Sequence, residues 1–327
     1  MSFRSIAAAA LLAAGALPTL SRPTAPPAKK PTVILFVGNS FFHGATNPVL
    51  NYNAAAVTDE NFVPNRKGQR QRQYTHEPGP WGGIPGIFKK MTNEAGLAYD
   101  VHIEALSGQA LKFHYDSALA VIQQPKWDVV VMHDYSTGPV PTRHGGQPAR
   151  FTEYANRLEQ AVHTANPKAQ VYLYETWARA DQHYTPQGGY AGLPVDSMTS
   201  DLHRAYYREA AQNGRIAGVA PAGDAWLRAI EQGVAMRNPY QPDADKLNLW
   251  NKDHYHPSVW GAYLNACVLF GEITGHDPRQ LGSQEQAAAA LGITPEQAVA
   301  LQRVAFQQLQ AAGKLKEGRK LTKKLKR

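Results

Sequence analysis

The sequence predicts a three-layer α/β/α sandwich around a parallel sheet. Short apolar, β-branched runs alternate along the chain with amphipathic helical stretches, the pattern of strands joined by crossover helices. The first run, TVILFV at Thr32–Val37, is continuous, as expected of a strand covered on both faces. The long polar interruptions follow strands, where open α/β sheets carry their ligands.

After that first strand, Ile84–Ala95 has helical apolar spacing and is closed by Gly96. Ala98–Glu104 is a second strand and Trp127–Met132 (WDVVVM) a third. Arg150–Ala165 is an amphipathic helix stopped by Asn166-Pro167, because the residue before a proline is pushed out of the helical region. Gln170–Tyr174 is a fourth strand, Val195–Gln212 a helix and Arg215–Val219 a weak fifth strand. Ser258–Thr274 is the last core helix, starting directly after Pro257 and ending at Gly275. Ser283–Ala312 reads as two further helices. Thr294 caps the second, Pro295 fills its first position, and Leu301, Val304, Ala305 and Leu309 form its apolar stripe. The interruptions are residues 44–80, 138–149 and 180–194; loops of that length in a compact domain tend to be functional.

Composition narrows the function. The chain has 327 residues, 43% hydrophobic and 18% charged, enough to bury a core without covalent staples. Its one cysteine, Cys267, excludes an intramolecular disulfide framework and any multi-cysteine metal site. The net charge of +8 belongs to the ends. Residues 314–327 hold eight Lys/Arg against one Glu, and Arg4, Arg22, Lys29 and Lys30 lie in the first thirty residues. Residues 31–313 carry 22 basic and 25 acidic side chains, so no basic face and no nucleic-acid partner are expected. No P-loop and no G-x-G-x-x-G follow the first strand.

Residues 1–21 have the layout of a secretory signal peptide, with Arg4 before an apolar stretch from Ile6 to Leu17. Residues 22–30 read as a Pro-rich linker, 31–280 as the main domain, and 281–327 as a helical extension with a basic tail. No other segment approaches about 20 apolar residues, so the expectation is a secreted or periplasmic protein without an integral membrane span.

The chemistry concentrates at two places. Gly38-Asn39-Ser40 ends the first strand, where a serine hydroxyl would project into the mouth of the sheet and its backbone N–H would face a developing oxyanion. Alone, G-N-S is also an ordinary turn. Asp253 and His256, three apart in the segment NKDHYHPS just before the last core helix, can pair so that the carboxylate orients the imidazole toward a serine. Ser258 can cap the helix behind them.

G-N-S after the first strand and D-x-x-H-P before the last helix together resemble the SGNH hydrolase superfamily, the GDSL-type esterases. That family usually has G-D-S in its first block, a glycine after its second strand and G-x-N-D after its third. Here Gly108 follows the second strand, and Val131-Met132-His133-Asp134 ends the third. The resemblance spans residues 32–276. It implies a flavodoxin-like five-stranded sheet, Ser40 as nucleophile, His256 as general base and Asp253 as its orienting acid. It also implies an oxyanion hole from the backbone N–H groups of Ser40 and Gly108, with His133 standing where the family has its asparagine. The G-N-S variant is similar to divergent branches that resemble carbohydrate esterases.

The expected activity is hydrolysis of an ester by a two-step acyl-enzyme route, most simply an O-acyl group on a carbohydrate or another small ester. Neither cofactor nor metal is required. Trp177, Tyr135 and Asn39 are the expected substrate contacts. Trp81, Tyr184 and Tyr190 also lie near the mouth, where aromatic rings either stack on sugars or pin the loops. Two other readings stay open. One is a metal-dependent hydrolase using Asp253, His254, His256, His43, His133 and Asp134. The other is a secreted glycan-binding protein on an inactive hydrolase scaffold.

Overall fold

A computed structural model describes residue 1 and residues 30–64, 70–72 and 79–316. The signal-peptide reading, nearly all of the linker and the basic tail beyond residue 316 lie outside the described residues. The described residues from Pro31 onward form one compact unit.

In chain order, β1 (Thr32–Gly38) leads into a single helical turn, α1 (Ser40–His43). The first interruption holds β2 (Thr58–Asp59), β3 (Phe62–Pro64) and β4 (Arg70–Arg72). There follow α2 (Gly83–Glu94), β5 (Tyr99–Ala105), α3 (Leu111–Ser117), α4 (Leu119–Ile122), β6 (Val129–Met132) and α5 (Pro148–Ala165). Next come β7 (Gln170–Glu175), α6 (Ala180–Tyr184), α7 (Val195–Asn213), β8 (Ile216–Pro221) and α8 (Ala222–Glu231). The last helices are α9 (Val259–Thr274), α10 (Gln286–Ala290) and α11 (Pro295–Ala311).

The main sheet has six parallel strands in the order β2-β5-β1-β6-β7-β8. Counted along the chain, its five long strands run 2-1-3-4-5, the flavodoxin-like order. The expected count of five is corrected by β2, which pairs Thr58 with His102 and Asp59 with Ile103 on the outer edge of β5. A strand of two residues carries no alternation, so the sequence gives no sign of it. Beside this sheet, β3 and β4 form a small antiparallel hairpin within the first interruption.

Ile34, Leu35 and Phe36 of β1 have no exposed surface, as their unbroken apolar run requires of a strand with helices on both faces. Helices α2, α9 and α11 pack together on one side, while α5 lies against α3 and α7 on the other. Five helices are additional to those legible in the sequence: the short α1, α3, α4 and α6, and α8, which starts on the residue after β8 ends. The C-terminal segment shares the main core. Leu301, Val304, Ala305 and Leu309 of α11 are fully buried in it. Thr294 and Gln297 close a reciprocal capping box at that helix's start. Among the described residues no helix is long and apolar enough to cross a membrane.

Candidate active site

The carboxyl end of β1 meets the loop before α9. Asn39 caps α1: its side-chain oxygen accepts the Phe41 N–H at 3.0 Å, and its amide donates to the Gln109 carbonyl at 2.9 Å. That clamp fixes Ser40 at the first position of the turn. Gly38 just before it has no alternative, because an added Cβ would lie 2.3 Å from His133 Nε2.

Ser40 Oγ lies 2.7 Å from His256 Nε2, and His256 Nδ1 lies 2.7 Å from Asp253 Oδ2. A carboxylate only accepts, so Nδ1 carries the imidazole proton and the Nε2 lone pair receives the Ser40 hydroxyl. The chain enforces this arrangement locally. Asp253 Oδ1 accepts the backbone N–H groups of Tyr255 and His256 at 3.2 and 3.0 Å, which folds the three-residue spacing into a tight turn. Burial pushes the Asp253 carboxyl up; the bonds from the His256 ring and from both backbone N–H groups outweigh it and hold the group below its ordinary value. Ser258 caps α9 by accepting the Gly261 N–H, so the loop is anchored to a core helix.

Ser40 and His256 open into a pocket of about 200 Å³ that Ser107, Gly108, Tyr135 and Arg179 also border. Gly108 sits in the turn after β5 with φ +71°, a conformation that favours glycine. Among the described residues the backbone N–H groups of Ser40 and Gly108 donate to no acceptor. Both residues border the pocket beside the Ser40 hydroxyl.

His133 is not a third donor, and this corrects the sequence expectation. It is fully buried beneath the Ser40 turn. Its Nδ1 donates to the Asp134 carbonyl at 2.8 Å, which leaves Nε2 as an acceptor, facing the Asn39 N–H at 3.4 Å. Both ring nitrogens are used, and the single N–H, on Nδ1, is not available to a ligand. Burial drives its pKa down to about 3, so the ring is neutral. It works as packing against Phe42, at 4.5 Å between ring centroids, and against Gly38.

Trp177 is corrected as well. It has no exposed surface, because Phe41 covers one face at 4.3 Å and Trp226 the other at 4.6 Å. Its indole N–H donates to the Tyr255 carbonyl. No sugar can stack on it. Asn39 borders the pocket, but its side chain is consumed in the clamp described above. Tyr135 is the one expected aromatic contact on the pocket wall, and it is 36% exposed. Trp81 and Tyr190 are buried.

Arg179 is the feature of the wall that sequence reasoning missed. Its guanidinium holds Asp181 through Nε at 3.0 Å and Nη2 at 2.6 Å, donates to Ser136 Oγ at 3.1 Å, and lies 4.4 Å from the centre of the Tyr255 ring. It follows β7 by four residues, and position past a strand end was the only available signal.

The six residues of the metal reading do not converge. His43 donates through Nε2 to Ser107 Oγ and accepts the Ala45 N–H, His133 is spent as described, and Asp134 Oδ1 accepts the Leu111 N–H. Among the described residues none of the six belongs to a group of metal-ligating side chains with three members.

No protein-family model matches the sequence, and no curated protein does. Solved structures do match. A DUF4886 family protein from Bacteroides uniformis is 16% identical, with a TM-score of 0.53 over 88% of this chain and 98% of that one. TesA is 15% identical over 73% of this chain and 96% of its own, with a TM-score of 0.42. Axe2, an acetylxylan esterase from Geobacillus stearothermophilus, is 14% identical over 74% and 94%, with a TM-score of 0.44. The likeness is one of fold: the chain carries the helix-flanked parallel sheet of the DUF4886 protein, and SGNH/GDSL-like esterases stand among its structural matches.

Proposed function

We propose that this protein is a serine-dependent carboxylic ester hydrolase of the SGNH type, with Ser40, His256 and Asp253 as its catalytic residues. The observation that carries the reading is the unbroken chain of 2.7 Å contacts from Ser40 Oγ through the imidazole to Asp253, beside two unengaged backbone N–H groups. Ser40 Oγ attacks the ester carbonyl while His256 Nε2 takes its proton. The N–H groups of Ser40 and Gly108 hold the oxyanion. His256 then returns the proton to the departing alcohol, leaving an acyl-serine. Water, deprotonated by His256, repeats the sequence and frees the acid.

The pocket volume of about 200 Å³ favours a short acyl group over a fatty chain. Gly108 and Tyr135 also border an adjoining groove of about 550 Å³ that Lys112, Phe113 and Arg150 line, and the alcohol portion fits there. An O-acylated carbohydrate, with one sugar face against Tyr135, is the substrate class this arrangement favours. The leader-like residues 1–21 make the periplasm or the medium the proposed place of action, checked by fractionation of the expressing cells.

Hydrolysis of 4-nitrophenyl acetate by the purified protein tests the reaction, run beside Ser40→Ala and in the presence of EDTA. The expected outcome is turnover that ignores EDTA and disappears with Ser40, while the far-UV circular dichroism stays the same. Turnover that survives in Ser40→Ala removes the proposal. No turnover, combined with glycan binding by the wild type, moves the chain to the binding-protein class.

A further inference from the structure

A second cluster of reactive side chains lies outside the Ser40 pocket, where the end of β7 meets α7 and α8. Glu175 is the last residue of β7, His203 lies on α7, and Asp224 is in the first turn of α8. One ligand atom from each falls within 4.8 Å of the other two. None of the three borders the Ser40 pocket.

Glu175 is completely buried, and among the described residues neither of its carboxylate oxygens has a hydrogen-bond partner of good geometry; the Asp224 carboxylate and backbone N–H lie beside it. A buried carboxylate in that condition is costly, and a second carboxylate alongside adds to the cost. Asp224 is held in place by the neighbouring side chains. Its Oδ2 accepts from His203 Nδ1 at 2.9 Å and from Gln308 Nε2 at 3.3 Å, and Gln308 Oε1 in turn accepts from Arg228 Nε at 2.8 Å. The His203 ring is stacked on Tyr207 at 4.2 Å. Gly223 leaves the space: a Cβ there would come 2.9 Å from Glu175 Oε1 and 2.2 Å from the Thr176 carbonyl oxygen. A cavity of about 370 Å³ bordered by His203, Asp224, Arg228 and Gln308 connects the cluster to solvent.

We propose that Glu175, His203 and Asp224 bind a divalent transition-metal ion of the Zn²⁺ type, which ties β7, α7 and α8 together and takes no part in ester hydrolysis. Two carboxylates neutralise a dication, and the metal replaces the proton that otherwise lies between His203 and Asp224. One imidazole nitrogen with two carboxylate oxygens suits zinc, with water from the cavity completing a tetrahedral set. Calcium requires six or more oxygen ligands, which this cluster does not supply.

The test uses the full chain, treated with EDTA, desalted and titrated with ZnCl₂ by calorimetry, with melting temperature recorded in parallel. One equivalent should bind at micromolar Kd or tighter and raise the melting temperature. Glu175→Gln and His203→Ala should each weaken that binding at least 100-fold. His203 is 45% exposed, so its variant keeps the fold even if the buried substitution does not. Absence of zinc binding at micromolar concentration overturns the site. Binding that is unchanged in both variants also overturns it, by assigning the metal to others of the 12 histidines. Ser40-dependent turnover should be the same with and without zinc, so failure here is distinguishable from failure of the esterase proposal.

Discussion

Two histidines flank the Ser40 turn, and the chain uses them in opposite ways. His256 stands on a loop at the rim of the pocket, with Asp253 donating nothing and accepting its Nδ1 proton. His133 directly follows β6 inside the core, where a backbone carbonyl accepts its Nδ1–H and a backbone N–H faces the other nitrogen. The side chains are identical; their partners decide what each can do. A mobile proton needs a ring with one nitrogen fixed by an acid and the other turned toward a hydroxyl. A ring bound at both nitrogens to the main chain is a spacer that holds its turn.

Substitutions sharpen this contrast, and the largest effect belongs to the rim. His256→Ala should lower kcat by about 10⁴-fold or more, as loss of a working base does in serine hydrolases. Asp253→Asn should follow at about 10³- to 10⁴-fold, with the melting temperature nearly unchanged, because an amide no longer fixes the tautomer. Equal activity of Asp253→Asn and wild type would break the comparison at its first term.

His133 should appear in stability and its pH dependence. Its folded pKa of about 3 lies below the unfolded value, so the unfolded chain takes up a proton that the folded chain refuses. The associated stability is complete above about pH 6.5 and drains as pH falls toward 3. Urea unfolding at pH 7 and pH 5 should therefore show about 2 kcal/mol less acid loss for His133→Asn than for wild type. An identical pH slope in the two proteins would mean that the ring is not held neutral. The smallest effect is expected at Tyr135→Ala, a rise in KM for an acylated sugar of about tenfold with kcat nearly unchanged, as expected for a wall contact that binds without reacting.

The same contrast explains what was legible. Ser40, Asp253 and His256 show in the sequence because each sits at an element boundary with punctuation around it: the G-N-S turn, Pro257, and the Ser258 cap. The strands β1, β6 and β7 show because burial on both faces leaves an apolar run. His133 and Trp177 also sit at strand ends, so the sequence placed them with the site. Which way each ring faces depends on packing from distant segments, Phe41 and Trp226 for one and Asn39 for the other. Arg179 escaped notice for the converse reason. Only Asp181 is local, in the first turn of α6; Ser136 and Tyr255 come from two distant loops, and no local spacing joins them to Arg179. Helix α8 was missed because it begins without a capping side chain or any linker after β8.

The sandwich of Phe41, Trp177 and Trp226 gives the protein an optical reporter. Two indoles lie 4.6 Å apart and within 10° of parallel, and a third, Trp250, meets Trp226 edge-on at 5.4 Å. Chromophores that close share their excitation, so their near-ultraviolet circular dichroism depends on mutual orientation. Phe41 joins this stack to the residue next to Ser40. The integrity of the Ser40 turn can therefore be followed by light alone, without label or substrate, as the protein is heated, acidified or mutated.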